Sequence, residues 1–150
     1  MSTIPKEEFL QMAGKDLGAS DWFKIDQERI NAFADNTIDH QFIHVDAEAA
    51  KNTPFGSTIA HGFLSLSMIT HLSEKLLVYP EGMQMVFNYG FDKIRFITPV
   101  KVNGEIRASM NVAEVTEKSQ GILVKYNVSV EVKGEDKPAY VAEWMLMFVV

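Results

Sequence analysis

The chain has 150 residues, 47% hydrophobic and 23% charged, which is enough apolar material for one sizeable core and a single domain over 1–150. Its formal net charge of −6 leaves no basic block to neutralise phosphates, so a nucleic-acid partner is excluded. The absence of cysteine excludes disulfides, thiolate metal sites and a cysteine nucleophile.

Pro5 and the acidic pair Glu7-Glu8 favour a short helix over 5–13. The opening stretch lacks the apolar run of a secretory leader, and the expected location is the cytoplasm. Trp22, Phe23 and Ile25 mark a short extended segment. Asp26 is a suitable N-cap, and Ile30, Phe33 and Ala34 at i, i+3, i+4 predict a helix over 27–35 packed by one face. Asn36 and Thr37 end it, and an irregular loop carrying Asp39 and His44 follows. Asp46 caps a further short helix over 47–51, before the breaker Asn52-Thr53-Pro54-Phe55-Gly56.

Residues 60–77 are apolar at 63, 64, 66, 68, 69, 72, 76 and 77, nearly the whole helical circumference. Such a helix belongs in an interior, and His61, His71, Glu74 and Lys75 argue against a bilayer. It is the expected central element, with His71 as a core histidine and Tyr79-Pro80-Glu81-Gly82 as its close. Gly62 stands at its N-terminal edge, where backbone N–H groups lack intrahelical partners and can receive developing negative charge.

Beyond it the pattern is of strands. Residues 84–96 are rich in β-formers, with Gly90 as a bulge. Asn103-Gly104 signals a hairpin between 96–102 and 105–116. Ile122, Val124, Tyr126, Val128, Val130 and Val132 alternate with mostly polar neighbours, the pattern of a half-buried strand. Residues 134–138 form a turn, and 139–149 a last strand with two largely apolar faces. Helices followed by four antiparallel strands make an α+β chain whose sheet can wrap one helix.

The loop 37–46 concentrates acids and imidazoles. Asp39 and His44, five apart, can converge on one water, and a histidine beside a partly buried carboxylate suits general acid–base work. On spacing alone the plainer assignment is favoured: Asp39 caps a turn and His44 is a hydrogen-bonded, half-buried side chain. His40, His44, His61, Asp39 and Asp46 could supply metal ligands, but no His-Glu-x-x-His or similar spacing supports it, and no metal is expected. Ser57, Ser65 and Ser67 lack a Gly-x-Ser-x-Gly elbow and read as packing or capping residues. No glycine pattern forms a phosphate cradle.

The run from Phe33 through Asp39 and His44 to Asp46, with Pro54-Phe55-Gly56 and Ile59-Ala60-His61-Gly62-Phe63-Leu64, resembles the MaoC-like dehydratase family. Asn88-Tyr89-Gly90, Lys93-Ile94-Arg95-Phe96 and Pro99-Val100 are similar to its (R)-specific enoyl-CoA hydratases, in the nodulation-protein-N-like branch. Asp39, Ile43 and His44 match the family's hydratase motif, and Ala50 matches its small residue. Gln41-Phe42 stands in place of Asn-Pro, and Ile38 where a glycine usually precedes the aspartate.

The resemblance implies a hot-dog fold, a long helix wrapped by an antiparallel sheet and paired into a homodimer. It implies reversible hydration of trans-2-enoyl-CoA to (R)-3-hydroxyacyl-CoA, with acyl-CoA as substrate and no metal or redox cofactor. Asp39 and His44 would be the acid–base pair and the Gly62 N–H the oxyanion donor. His61 would be structural, holding a loop carbonyl, and Lys51, Lys93 or Arg95 would meet the CoA nucleotide. The alternatives are a hot-dog acyl-CoA thioesterase and a non-catalytic acyl-binding subunit. Glu74, the helix's only acid, lies far from Gly62 and argues against the first.

Overall fold

The computed structural model describes residues 2–150, Met1 lying outside them. Strand β1 (Ser2–Ile4) leads through Pro5 into the single-turn helix α1 (Lys6–Phe9), which buries Phe9 and is shorter than the expected span. Two short strands, β2 (Asp16–Ala19) and β3 (Phe23–Lys24), precede α2 (Gln27–Thr37). Asp26 caps α2 as expected: its Oδ1 accepts the Arg29 N–H at 2.9 Å, and Ile30 and Ala34 fill the buried face. The helix runs two residues past the predicted end and stops at Ile38, whose φ of 59° is left-handed. That conformation is strained for a β-branched residue.

The next segment corrects one expectation. His44 lies in a one-turn helix, α3 (Phe42–Val45), rather than in irregular loop. Asp46 caps α4 (Ala47–Ala50) by accepting the Ala49 N–H at 3.0 Å. The central helix is also corrected. It comprises two pieces, α5 (Gly62–Ser67) and α6 (Ile69–Ser73), meeting at Met68. Its own hydroxyls weaken the helical ladder: Ser67 donates to the Phe63 carbonyl at 2.7 Å, and Ser73 to that of Thr70 at 3.2 Å. Nor is it buried all round. Leu64, Ser65, Ile69, Leu72 and Ser73 face inward, whereas Phe63 is 68% exposed. His71 is an exposed residue, not a core one, and packs edge-on against Phe23 with centroids 4.9 Å apart.

After β4 (Val78–Pro80), which pairs in parallel with β1, come the long strands β5 (Met85–Phe96), β6 (Glu105–Lys118), β7 (Gly121–Val132) and β8 (Tyr140–Val149). They form an antiparallel sheet of order β2-β6-β7-β8-β5, with β3 also paired to β6. Register shifts around Gly90 confirm the bulge in β5. All six apolar alternation positions of β7 are buried, in one core with Leu64, Ile69 and Leu72. On β8 the second face is covered too, at Met145 and Met147.

The hairpin expected at Asn103-Gly104 does not form. Residues 97–102 are not a strand of the sheet, and β5 pairs with β8 rather than β6. The Ala60 N–H donates to the Val100 carbonyl and the Val102 N–H to that of Thr58, so the segment is tied to the approach to α5. Asn103 and Gly104 make a tight turn closed by the Gly104 N–H to the Lys101 carbonyl at 2.8 Å. A Cβ on Gly104 would sit 2.8 Å from that same oxygen, which explains the glycine.

Candidate active site

The connection from α2 to α3 brings the acid into place. The Asp39 N–H donates to the Ala34 carbonyl at 3.1 Å, closing the end of α2, and its carboxylate is exposed rather than partly buried. Within the chain that carboxylate accepts only the Gln41 N–H, at 3.4 Å, a long contact. His44 is buried at 7% exposure. Its Nδ1–H donates to the Ile59 carbonyl at 2.7 Å, so the ring's Nε2 keeps its lone pair. His61 is buried as well; its Nε2–H donates to the Asp39 carbonyl at 3.0 Å, and its Nδ1 has no partner. The two imidazoles stack, with centroids 3.8 Å apart and planes 23° from parallel, and Phe33 packs on His61 at 4.9 Å.

One ligating atom each from Asp39, His44 and His61 lies within 4.8 Å of the others. These are the described residues able to hold a metal; of the other expected ligands, His40 pairs with Asp35 at 2.8 Å and Asp46 is used as a cap. Burial holds His44 below the ordinary histidine range, and the neighbouring His61 adds to that, while the Ile59 carbonyl and Asp39 act the other way. A neutral imidazole beside a carboxylate can accept a proton from a bound water.

Asp39, His44 and Gly62 line one open cleft of about 580 Å³, with Phe33, Thr37, His61, Phe63 and Phe96 as further walls. Gly62 is the first residue of α5, so its N–H has no acceptor within the helix. The Phe96 ring lies so close that a Cβ on Gly62 would meet it at 3.0–3.3 Å. A second cavity of about 200 Å³ lies on the other side of Phe96 and shares Gly62 with the first.

Two residues of the site were not singled out for it by the sequence. Gln27 donates to the His44 carbonyl at 2.8 Å and accepts the Thr58 hydroxyl at 2.6 Å, fastening α2 to α3 and to the approach to α5. Phe96 was legible only as the end of a strand. The cations expected near a CoA nucleotide do not line the cleft: Lys51 pairs with Glu48 at 2.8 Å, Lys93 sits in a groove with Asn127 and Glu143, and Arg95 is exposed on β5.

Residues 8–134 match the family described as MaoC like domain. The chain belongs to the MaoC-like dehydratase family. Among MaoC-like relatives, 3-hydroxyacyl-thioester dehydratase Z of Mycobacterium tuberculosis is 43% identical over 138 residues, 91% of either chain. Nodulation protein N of Rhizobium meliloti is 41% identical over 147 residues, covering 97% of this chain and 91% of that one. R-Hydratase PhaJ1 from Pseudomonas aeruginosa aligns with a TM-score of 0.73 and 23% identity, over 91% of this chain and 81% of that chain, a likeness of fold. The architecture is thus the hot-dog fold, and the MaoC-like chain is a hydro-lyase of the hydratase and dehydratase type. Among the described residues no helix is long and apolar enough to cross a membrane.

Proposed function

We propose that the protein is an (R)-specific enoyl-CoA hydratase, adding water reversibly to trans-2-enoyl-CoA to give (R)-3-hydroxyacyl-CoA. The observation that carries this reading is the convergence of the Asp39 carboxylate and the His44 imidazole within 4.8 Å, in a cleft that also contains Gly62. One water making two hydrogen bonds of about 2.8 Å can bridge acceptors at that separation. Its oxygen attacks Cβ as the pair takes one of its protons, and a proton is delivered to Cα, so H and OH add across the double bond. Negative charge builds on the thioester oxygen, and the Gly62 N–H stabilises it, an effect worth about 3 kcal/mol per donor. Phe33, Phe63 and Phe96 give the acyl chain an apolar wall. The relative named 3-hydroxyacyl-thioester dehydratase Z supports the thioester class, since dehydration is this reaction in reverse.

The hydrolase alternative would need a carboxylate on the central helix, and Glu74 stands at the far end of α6, outside the cleft. The test is crotonyl-CoA with the purified protein, followed by enoyl absorbance and by thiol release, with the chirality of any product determined. Loss of absorbance with the (R) product is expected. Thiol release would instead indicate a thioesterase, and no change in either signal a binding subunit.

A further inference from the structure

We propose that His61 is the positioning residue of the site: its single ring holds both members of the acid–base pair, the Asp39 peptide through Nε2–H and the His44 imidazole by stacking. The inference rests on the hydratase reading for its effect on turnover, but its structural content stands apart from any substrate.

Each catalytic side chain is otherwise weakly held. The Asp39 carboxylate has one long contact, to the Gln41 N–H at 3.4 Å, and follows directly on the left-handed Ile38. Its peptide is fixed at both ends, by the N–H to Ala34 and by the carbonyl accepting from His61 at 3.0 Å. Removing the second bond frees the Asp39 carbonyl end to turn. His44 is tethered at Nδ1 by the Ile59 carbonyl, a single point about which a flat ring can still swing. The His61 face, 3.8 Å from the His44 centroid, blocks that swing on one side. Phe33 packs on His61 in turn, with centroids 4.9 Å apart and planes tilted by 53°. Because His61 immediately precedes Gly62 at the start of α5, the same residue also links the pair to the oxyanion donor.

These tasks explain the residue type. Phenylalanine could stack but has no donor, and asparagine could donate but has no aromatic face. The unpartnered, buried Nδ1 points the same way: a residue present only to fill the core would carry no orphan nitrogen there. The ionisable groups whose charge reaches His44 are His61 and Asp39, so a change at His61 is read directly in the behaviour of His44.

The test uses wild type, His61→Phe and His61→Asn. In both variants kcat per folded molecule on crotonyl-CoA should fall about tenfold, with KM changed less than threefold, and neither should be as inactive as His44→Ala. In both variants the acid limb of kcat/KM should move to higher pH, because both lose the His61 contribution that lowers His44, and it should move further in His61→Asn, where water also reaches the uncovered His44 face. In an Asp39→Asn background, His61→Phe should cost little more, as expected for residues that act through one another. A merely structural histidine would lower folded yield while leaving the pH limb and kcat per folded molecule in place, and that result would overturn the proposal.

Should the variants not fold, ¹⁵N-histidine NMR of the wild type decides. His44 should be found as the Nδ1–H tautomer and His61 as the Nε2–H tautomer, and the reverse assignment for His61 would sink the idea. This reading needs no substrate, so failure of the hydratase activity and failure of the positioning role are separately visible.

Discussion

Gly62 shows how little room a single atom has at this site. A methyl group there would meet the Phe96 ring at 3.0–3.3 Å, and because Phe96 lines the cleft any shift of the ring alters the cleft wall. Gly62→Ala should therefore lower kcat/KM on crotonyl-CoA about tenfold, and Phe96→Leu in the same chain should restore part of it; assays of both single variants and the double variant check this. For the acid–base pair, Asp39→Asn and His44→Gln should each reduce kcat by about 10²–10⁴ with a smaller effect on KM, and the double variant should lose little more. Losses that simply multiplied would count against a shared water. Thermal melting of either single variant should be unchanged or slightly raised. Because burial lowers the His44 pKa from the ordinary histidine value of 6.5, the acid limb of kcat/KM should lie below that value: the base must be neutral, and activity falls as pH drops through the lowered pKa. The same shift makes the unfolded chain bind the proton first, so His44 contributes stability above about pH 6.5 that is lost as pH falls through the lowered folded-state value.

At the scale of elements, what the sequence made legible followed the strength of the local signal. The Asp26 cap and the apolar positions of α2 were readable because capping and a 3.6-residue period act within one helix. The six alternating positions of β7 were readable for the same reason, with period two. The single turn of α3 was not, since Phe42–Val45 is too short to show a period. Nor was the break at Met68, which no Gly or Pro marks. Asp39, His44 and Gly62 were singled out from the acids and imidazoles of one loop, from the start of the central helix and from the resemblance to the family, and the structure brings them to one cleft. Gln27 and Phe96 were not, because Gln27 acts through residues distant in sequence and Asn103-Gly104 suggested a hairpin that the sheet order forbids. Asp26→Ala should destabilise the protein by about 1 kcal/mol in urea unfolding, the usual worth of such a cap. Loss of turnover should track the unfolded fraction only, because the Asp26 side chain caps α2 and does not line the cleft.

For the whole molecule, the homodimer that the resemblance implies has to be sought at an edge of the sheet rather than at the two apolar faces of β8. Strand β8 is interior to the sheet, between β7 and β5, and Met145 and Met147 are already buried within one chain. A row of exposed apolar side chains lies instead on the edge strand β5, where Met85, Phe87 and Tyr89 are 55%, 47% and 56% exposed. A long edge strand with such a row is an invitation to pairing. The homodimer that we propose would join through β5. Light scattering at micromolar concentration should give a dimer, and Phe87→Glu with Tyr89→Lys should give a folded monomer; a wild-type monomer would refute it.

The position of β5 also says when the molecule can become itself. Among the described residues its one partner in the sheet is β8, with Met85 opposite Val149 and Phe96 opposite Tyr140, so β5 waits for a strand made well after it. During synthesis, every residue that lines the cleft, from Phe33 to Phe96, leaves the ribosome before the strand that holds Phe96 in place exists. Until then β5 carries two unpaired edges and its aromatic row, a state open to aggregation. Strand β8, none of whose residues lines the cleft, thus holds one of the cleft's walls in place.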